Sequence, residues 1–315
     1  MRTAIVLING LGDQLIAWPT LRALRRTLPG EMELWVGLGM LRSLYRDLEM
    51  DRRCIPGAGP GLRELDPSIV PHGHPAADLF VSLSTWCNDS VSALIRRLGA
   101  RESVGLRGAF TETTDPPGDV NMFDQLFSVA RHFAPDLVIE DFAEPPQFSD
   151  AAEDAARRFV GDHLVPGERM LFVHPETRER KMWSREGFSA VLVEVLERHP
   201  DLRVFLTSRR PYDLSLGRHQ HRLVVMDDTP FEMTLAVLRY ADAFIGVDSC
   251  FMHGADLLRV PGVGLFGPTD PAEWGFRFEP RSRAIWTGGA PLAVLDPSEV
   301  IAALDGIVAA ESVAS

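Results

Sequence analysis

The sequence predicts an α/β protein of two domains, each built from a parallel β-sheet covered by helices. The chain has 315 residues, and roughly 100 to 200 residues form one domain. Short apolar runs alternate with segments of helical periodicity in both halves, which is the pattern of βα units. This alternation breaks in an acidic, proline-rich stretch between Asp136 and Asp150. We therefore predict domains at 1–150 and 151–295, followed by a helix within 296–315 that packs back on the first domain.

The first half opens with the apolar run Ala4–Ile8, which is typical of a buried strand. A glycine-containing turn, Asn9–Asp13, follows it, and helical spacing of apolar residues runs from Gln14 to Leu28. Because parallel strands require a crossover connection, usually a helix, this unit indicates a parallel sheet. The pattern continues with predicted strands at Glu33–Val36, Asp78–Leu83 and Ser103–Leu106 and predicted helices at Met40–Leu48 and Ser90–Leu98.

The second half repeats the alternation. Ligands of such sheets bind at the carboxyl ends of the strands, so two such domains predict a cleft lined by the loops that follow strands. The predicted strands are Met170–His174, Leu202–Thr207, Leu223–Met226, Ala243–Val247 and Gly262–Phe266, and the predicted helices are Ala151–Leu164, Arg185–Arg198, Pro230–Tyr240, Phe251–Leu258 and Pro297–Ala310.

Composition excludes several classes of protein. The formal charge is −12, and each predicted half carries −6, so neither half offers the basic footprint of a nucleic-acid-binding protein. The three cysteines are widely spaced and form no zinc-binding or disulfide pattern. The apolar run near the N-terminus is too short for a signal peptide or a membrane span. We expect a cytoplasmic protein without an integral membrane segment and without a bound metal.

Asp13 stands in the turn after the first strand, within Gly10-Leu11-Gly12-Asp13. Leu15 occupies the third glycine position of a GxGxxG dinucleotide fingerprint, so that motif is excluded. Two interpretations of Asp13 remain open from the local sequence, and they are not exclusive. It caps the following helix, or it faces a ligand as a general base.

The loop after the strand Met170–His174 carries Glu176, Thr177 and Lys181 among several arginines. Its cations suit an anionic ligand such as a diphosphate, whereas the alternative is a solvated charged loop. Lys181 is the single lysine of a chain that contains 31 arginines. A generic surface charge would be arginine in such a chain, so this position indicates a need for a compact ammonium group.

Two further loops follow strands in the second half. Asp248 and Ser249 lie where a helix begins, which predicts either a simple N-cap or an anion site at the helix N-terminus. His253 is either a structural histidine or a catalytic one. The next strand ends in a turn that contains Gly267 and Thr269, whose hydroxyl is suited to bind a sugar or a phosphate.

Three segments, at 12–29, 174–192 and 241–274, resemble the glycosyltransferase family 9 proteins, which include ADP-heptose:lipopolysaccharide heptosyltransferases. The resemblance implies a GT-B fold, in which two Rossmann-like domains bind the acceptor and the nucleotide-sugar donor, respectively. It also implies metal-independent transfer with inversion at the anomeric carbon. Asp13 matches the catalytic base, Lys181 the lysine that neutralises the leaving diphosphate, and Asp248 the aspartate at the donor sugar. The donor-binding residues predicted in this way are Gly12, Glu176, Thr177, Lys181, Asp248, Ser249, Cys250, Met252, His253, Gly267 and Thr269.

The sequence departs from the family pattern at three places. Cys250 replaces the glycine that usually follows the Asp-Ser/Thr pair, and Glu176 replaces a small or hydroxyl residue. The segment Ser208–Arg210 is basic where heptosyltransferases place an acidic residue near the nucleoside.

We therefore expect an inverting glycosyltransferase that moves a heptose or a related sugar from a nucleotide-diphosphate donor, with ADP as the expected nucleotide, to a hydroxyl. The evenly spread charge favours a soluble small-molecule acceptor over a membrane-embedded one. The alternatives are a GT-B hydrolase or epimerase of nucleotide sugars, and a catalytically silent nucleotide-sugar-binding protein. No cofactor is expected apart from the donor substrate itself.

Overall fold

The structure is a computed structural model that describes residues 1–37, 45–54, 66–84, 87–116 and 118–314. The chain divides into two compact units, Met1–Gln147 and Phe148–Ser315. The predicted helix Met40–Leu48 falls largely outside the described residues.

The first unit contains six strands and four helices among its described residues. The strands are β1 (Arg2–Leu7), β2 (Glu31–Val36), β3 (Asp51–Cys54), β4 (Leu79–Ser82), β5 (Glu102–Gly105) and β6 (Glu112–Thr113), and the helices are α1 (Leu11–Ile16), α2 (Trp18–Thr27), α3 (Asp89–Arg97) and α4 (Met122–Phe133).

The second unit contains six strands and six helices among its described residues. The strands are β7 (Arg169–His174), β8 (Leu202–Thr207), β9 (Leu223–Met226), β10 (Ala243–Val247), β11 (Gly262–Phe266) and β12 (Arg283–Trp286), and the helices are α5 (Asp150–His163), α6 (Arg185–Arg198), α7 (Phe231–Leu238), α8 (Cys250–Leu258), α9 (Pro271–Trp274) and α10 (Pro297–Ala314).

Both sheets have six strands and the same topology. The orders are β3-β2-β1-β4-β5-β6 and β12-β11-β10-β7-β8-β9, and every pairing is parallel. Counted from its own first strand, each sheet has the order 3-2-1-4-5-6 of the Rossmann fold. The strand order reverses between β1 and β4 in the first unit and between β7 and β10 in the second. Loops at the carboxyl ends of these central strands therefore lie where open α/β sheets bind ligands.

The predicted helix from Gln14 to Leu28 is two helices. Ala17 separates α1 from α2, and Pro19 stands in the first turn of α2. Proline is tolerated in the first turn of a helix, but in a helix interior its ring clashes with the carbonyl four residues earlier. The chain therefore ends one helix and starts another at this place.

The final helix α10 belongs to the second unit, and its packing on the first domain stays a prediction. It contacts α6 and β11, and its buried Val300, Leu304 and Val308 lie in the same apolar cluster as residues of α6. Arg169, at the start of β7, also donates a hydrogen bond of 2.6 Å to the carbonyl of Val308. An apolar helix face next to an uncovered sheet face is buried most directly by packing within its own unit.

Five of these elements were missed by the sequence analysis: β3, β6, β12, α4 and α9. β3 and β12 carry arginines and lie away from the centre of the sheets, so they lack the continuous apolar run of a buried strand. Among the described helices, none combines the length and the apolar character that crossing a bilayer requires.

Candidate active site

Asp13 lies in the first turn of α1, directly after β1. Its Oδ2 accepts a hydrogen bond of 3.1 Å from the amide of Gly10, so the capping role is confirmed. The side chain is half-buried, as is the neighbouring Gly12. A base role is compatible with this bond, because a carboxylate has more lone pairs than the cap uses.

In the second unit, three predicted site residues contact Asp248, and we call these four residues the Asp248 cluster: Thr177, Lys181, Asp248 and Thr269. The Nζ of Lys181 lies 2.5 Å from Asp248 Oδ2. The hydroxyl of Thr269 donates to the same oxygen at 2.6 Å, and the hydroxyl of Thr177 donates to the Asp248 carbonyl at 3.0 Å. Asp248 is only 4% exposed.

The sheet topology brings these residues together. Thr177 and Lys181 follow β7, Asp248 follows β10, and Thr269 follows β11. These three strands are neighbours in the sheet although they are distant in the chain. Because they are parallel, their carboxyl ends meet at one edge. The interpretation of residues 174–185 as a merely solvated loop is therefore wrong for Thr177 and Lys181, whose polar groups bind Asp248.

Ser249 begins α8 but does not cap it with its side chain. Its backbone is in the N-cap position, no cap hydrogen bond forms, and the buried Oγ has no partner among the described residues. Helix N-termini carry unpaired amides and a partial positive charge that attract anions. The start of α8 therefore combines the partial positive charge of a helix N-terminus with a buried hydroxyl that has no partner among the described residues.

Cys250, the first residue of α8, remains a neutral thiol. Burial raises its pKa to about 12, against the opposing effect of the positive charge of Arg209. A thiolate would repel an anion at the helix N-terminus, but the protonated thiol does not. The structure thus places bulk, and not charge, at the position of the usual glycine.

Met252 and His253 lie in the first turn of α8. His253 is 4% exposed, and burial lowers its pKa to about 4, with Asp248 opposing and Lys181 reinforcing this shift. A neutral buried imidazole of this kind fits a structural role beside the Asp248 cluster. Met252 is fully buried, and a Cβ added at Gly264 of β11 would come within 2.8 Å of its sulfur, so the Met252 side chain belongs to the core.

Glu176 and Gly267 lie on either side of the Asp248 cluster. The Oε2 of Glu176 accepts a hydrogen bond of 2.5 Å from the amide of Arg209, which follows β8. The carbonyl of Gly267 accepts a bond of 3.1 Å from the indole nitrogen of Trp286. A side chain at Gly267 would lie 3.1 Å from the carbonyl of Ala290, so the turn after β11 has little room for one.

Asp256 is a residue that the sequence analysis missed. It is 1% exposed, and its two oxygens accept hydrogen bonds of 2.8 to 2.9 Å from the amides of Arg277, Phe278 and Glu279. It therefore holds the loop after α9 against α8. One carboxylate within the otherwise apolar face of the predicted helix Phe251–Leu258 was the signal that could have identified it.

Among the residues that the structure describes, no group of three or more His, Cys, Asp or Glu side chains is arranged to hold a metal ion.

The chain is similar to the proteins of a known family. Residues 86–292 match the family model described as glycosyltransferase family 9 (heptosyltransferase). A curated relative, lipopolysaccharide heptosyltransferase 3 of Escherichia coli, is 28% identical over 219 residues. That match covers 62% of this chain and 61% of the relative, so the chain spans less than two thirds of the relative's length.

Solved structures share the fold over nearly the whole chain. A glycosyl transferase family 9 protein from Veillonella parvula DSM 2008 has a TM-score of 0.79 at 18% identity, covering 98% of this chain and 97% of the other. ADP-heptose lps heptosyltransferase II of E. coli has a TM-score of 0.74 at 16% identity, covering 99% and 100%. E. coli heptosyltransferase WaaC with ADP has a TM-score of 0.70 at 18% identity, covering 98% and 100%. These likenesses confirm the predicted GT-B class of two Rossmann-like units.

Proposed function

The chain belongs to glycosyltransferase family 9, and from this premise we propose that it transfers a heptose or a related sugar from a nucleotide-diphosphate donor to an acceptor hydroxyl. The observation that carries the proposal is the Asp248 cluster at the N-terminus of α8. A cation, two hydroxyls and a carboxylate at this edge of the sheet suit a ligand that joins a diphosphate to a sugar.

We assign the diphosphate to the start of α8, beside Lys181. The helix amides and the buried hydroxyl of Ser249 are suited to bind phosphate oxygens. The side chain of Lys181 is 15% exposed, and its ion pair with Asp248 holds the ammonium in place. Asp248 is in turn the candidate to accept hydrogen bonds from hydroxyls of the donor sugar.

The proposed reaction is a single displacement with inversion. Asp13 removes the proton of the acceptor hydroxyl, and the oxygen attacks the anomeric carbon. The bond from this carbon to the diphosphate oxygen breaks, and its electron pair stays on the leaving phosphate. Lys181 and the α8 amides stabilise the negative charge that develops there. Because a protein cation fills this role, we propose that no metal ion is required.

The acceptor we propose is a small soluble molecule. Its support is the formal charge of −12, which offers little attraction to an anionic membrane surface. ADP is the nucleotide expected first, since two of the structural relatives are named for ADP-heptose or were solved with ADP.

Calorimetry with ADP, UDP and GDP tests the proposal, followed by nucleotide release from the ADP-linked sugar with and without candidate acceptors. We expect one diphosphate to bind and its release to require an acceptor. Donor turnover without any acceptor would instead indicate a hydrolase or an epimerase. Absence of binding by all three nucleotides would refute the proposed function.

A further inference from the structure

Glu176 connects the carboxyl ends of two neighbouring strands. It stands two residues after β7, and its Oε2 accepts the amide of Arg209, two residues after β8, at 2.5 Å. A second bond joins the same two strand ends, since the Nδ1 of His174 donates to the carbonyl of Thr207 at 2.9 Å. The carboxylate is thus held in place by the backbone of the next strand.

One oxygen of this carboxylate is available to a ligand. Glu176 is half-buried, and its Oε1 accepts no hydrogen bond from any residue that the structure describes. No arginine pairs with it in the described part of the chain, although the amide of Arg209 contacts it and the side chains of Arg209 and Arg210 are exposed. A carboxylate that one amide holds in place, and whose second oxygen has no hydrogen-bond donor among the described residues, is suited to bind donors from outside the protein.

The position of Glu176 relative to the Asp248 cluster indicates what these donors are. The next residue, Thr177, donates its hydroxyl to the Asp248 carbonyl at 3.0 Å. The carboxylate therefore lies one residue from the proposed diphosphate site, on the side of β8. In a nucleoside diphosphate the group next to the phosphates is the ribose, which carries two adjacent hydroxyls. Dinucleotide-binding folds bind a ribose hydroxyl with an acidic residue about 20 residues after the phosphate-binding turn. In this chain the carboxylate comes from the loop after β7 and is held at the end of β8 by the Arg209 amide.

We propose that Glu176 binds the ribose hydroxyls of the donor nucleotide and so selects for an unmodified ribose. This inference rests on the proposed function, in which a nucleoside diphosphate binds at α8. It is independent of the base, because ADP, GDP and UDP share the ribose. Nucleotides that carry a phosphate at the 2′ or 3′ position of the ribose should bind poorly, because that phosphate would place negative charge against the Glu176 carboxylate.

The basic segment Ser208–Arg210 suggests a competing interpretation, in which positive charge faces the ribose. Arginine binds phosphate through paired hydrogen bonds, so Arg209 and Arg210 would favour a nucleotide with an additional phosphate on the ribose. The amide of Arg209 fixes Glu176, whereas its exposed guanidinium forms no ion pair with that carboxylate in the described part of the chain. The carboxylate therefore keeps its negative charge where an additional ribose phosphate would lie.

Calorimetry on the full chain tests the inference. The nucleoside diphosphate that binds most tightly is compared with its 2′-deoxy, 3′-deoxy and 2′-phospho forms. We expect each deoxy form to bind at least about tenfold more weakly, because a hydrogen bond to a charged group is lost. The 2′-phospho form should bind more weakly still.

Glu176→Gln should lower the affinity for the ribonucleotide by about tenfold while leaving the affinities for the deoxy forms within about threefold. The affinity for inorganic diphosphate should not change, which separates loss of the ribose contact from loss of folding. Glu179→Gln is the matched control, because Glu179 is an exposed carboxylate of the same loop. It should bind every form as the unaltered chain does.

Three results would overturn the inference alone: equal affinity of the unaltered chain for ribose and deoxyribose forms, undiminished discrimination in Glu176→Gln, or tighter binding of the 2′-phospho form. If no nucleoside diphosphate binds the unaltered chain, the proposed function fails first and the inference fails with it.

Discussion

Lys181 and Asp248 form an ion pair in which the ammonium nitrogen lies 2.5 Å from Oδ2. Both side chains are largely buried, at 15% and 5% exposure, and the same oxygen accepts the hydroxyl of Thr269. An ion pair that is removed from solvent is sensitive to the shape of its partners as well as to their charge. The single lysine among 31 arginines therefore stands at a position with a steric reason for lysine.

Lys181→Arg should lower kcat/KM at least about tenfold, equivalent to roughly 1.4 kcal/mol of transition-state stabilisation. The planar guanidinium does not fit the site of a compact ammonium that contacts one oxygen. Steady-state kinetics measure the effect. Arg180→Lys, at the exposed neighbouring position, is the control and should keep full activity. A fully active Lys181→Arg enzyme would indicate that the single lysine reflects codon usage and not a requirement for an ammonium group.

Asp13→Asn should lower kcat by about 100-fold or more while nucleotide affinity stays close to that of the unaltered chain. The amide oxygen can still accept from Gly10 and cap α1, whereas a neutral amide cannot act as a base. Parallel kinetics and calorimetry distinguish the two roles. A loss of nucleotide affinity in this variant would show that Asp13 is structural.

Asp256→Ala should lower the free energy of unfolding of the chain by about 3 kcal/mol, because it leaves one buried and two part-buried amides without their acceptor. Urea denaturation measures this change. Asp213→Ala is the control, since this side chain is 94% exposed, and it should shift stability by no more than about 0.5 kcal/mol. Equal stability of the two variants would contradict the assigned role of Asp256.

Acid should destabilise the second unit through His174 and His253. Burial lowers the pKa of each from 6.5 to about 4. The unfolded chain then binds protons that the folded chain does not, so the stabilisation is complete above pH 6.5 and is lost as the pH falls towards 4. Each histidine contributes a slope of up to about 1.4 kcal/mol per pH unit in that window.

Urea unfolding at several pH values measures this slope. His253→Gln should lower the slope of unfolding free energy against pH by the contribution of one histidine. His221→Gln, at an exposed position, should leave the slope unchanged. A slope that is the same in all three proteins would show that the buried histidine does not titrate as expected.

Transfer should continue in the presence of EDTA, since we assign the stabilisation of the leaving diphosphate to Lys181 and the α8 amides. Nucleotide release measured before and after dialysis against chelator tests this. Loss of activity that is restored by added Mg²⁺ would contradict a site without a metal.

Much of the architecture was predictable because central strands of a parallel sheet are buried on both faces and appear as local apolar runs. β10, Ala243–Val247, was predicted with its observed bounds for this reason. β12 was not, because an edge strand with Arg283 lacks such a run. The residues after strands, including Asp13, Lys181 and Asp248, could likewise be identified as candidates from their place in the βα alternation.

Their partners could not be identified in the same way. Thr177, Asp248 and Thr269 meet because β7, β10 and β11 are adjacent, and local sequence does not state the order of strands in a sheet. The bond from Arg209 to Glu176 depends equally on β8 lying beside β7. Periodicity also predicted the last helix but not the surface against which it packs. Local patterns suffice for elements whose burial is encoded in neighbouring residues, whereas contacts between distant residues arise only when the strands assemble.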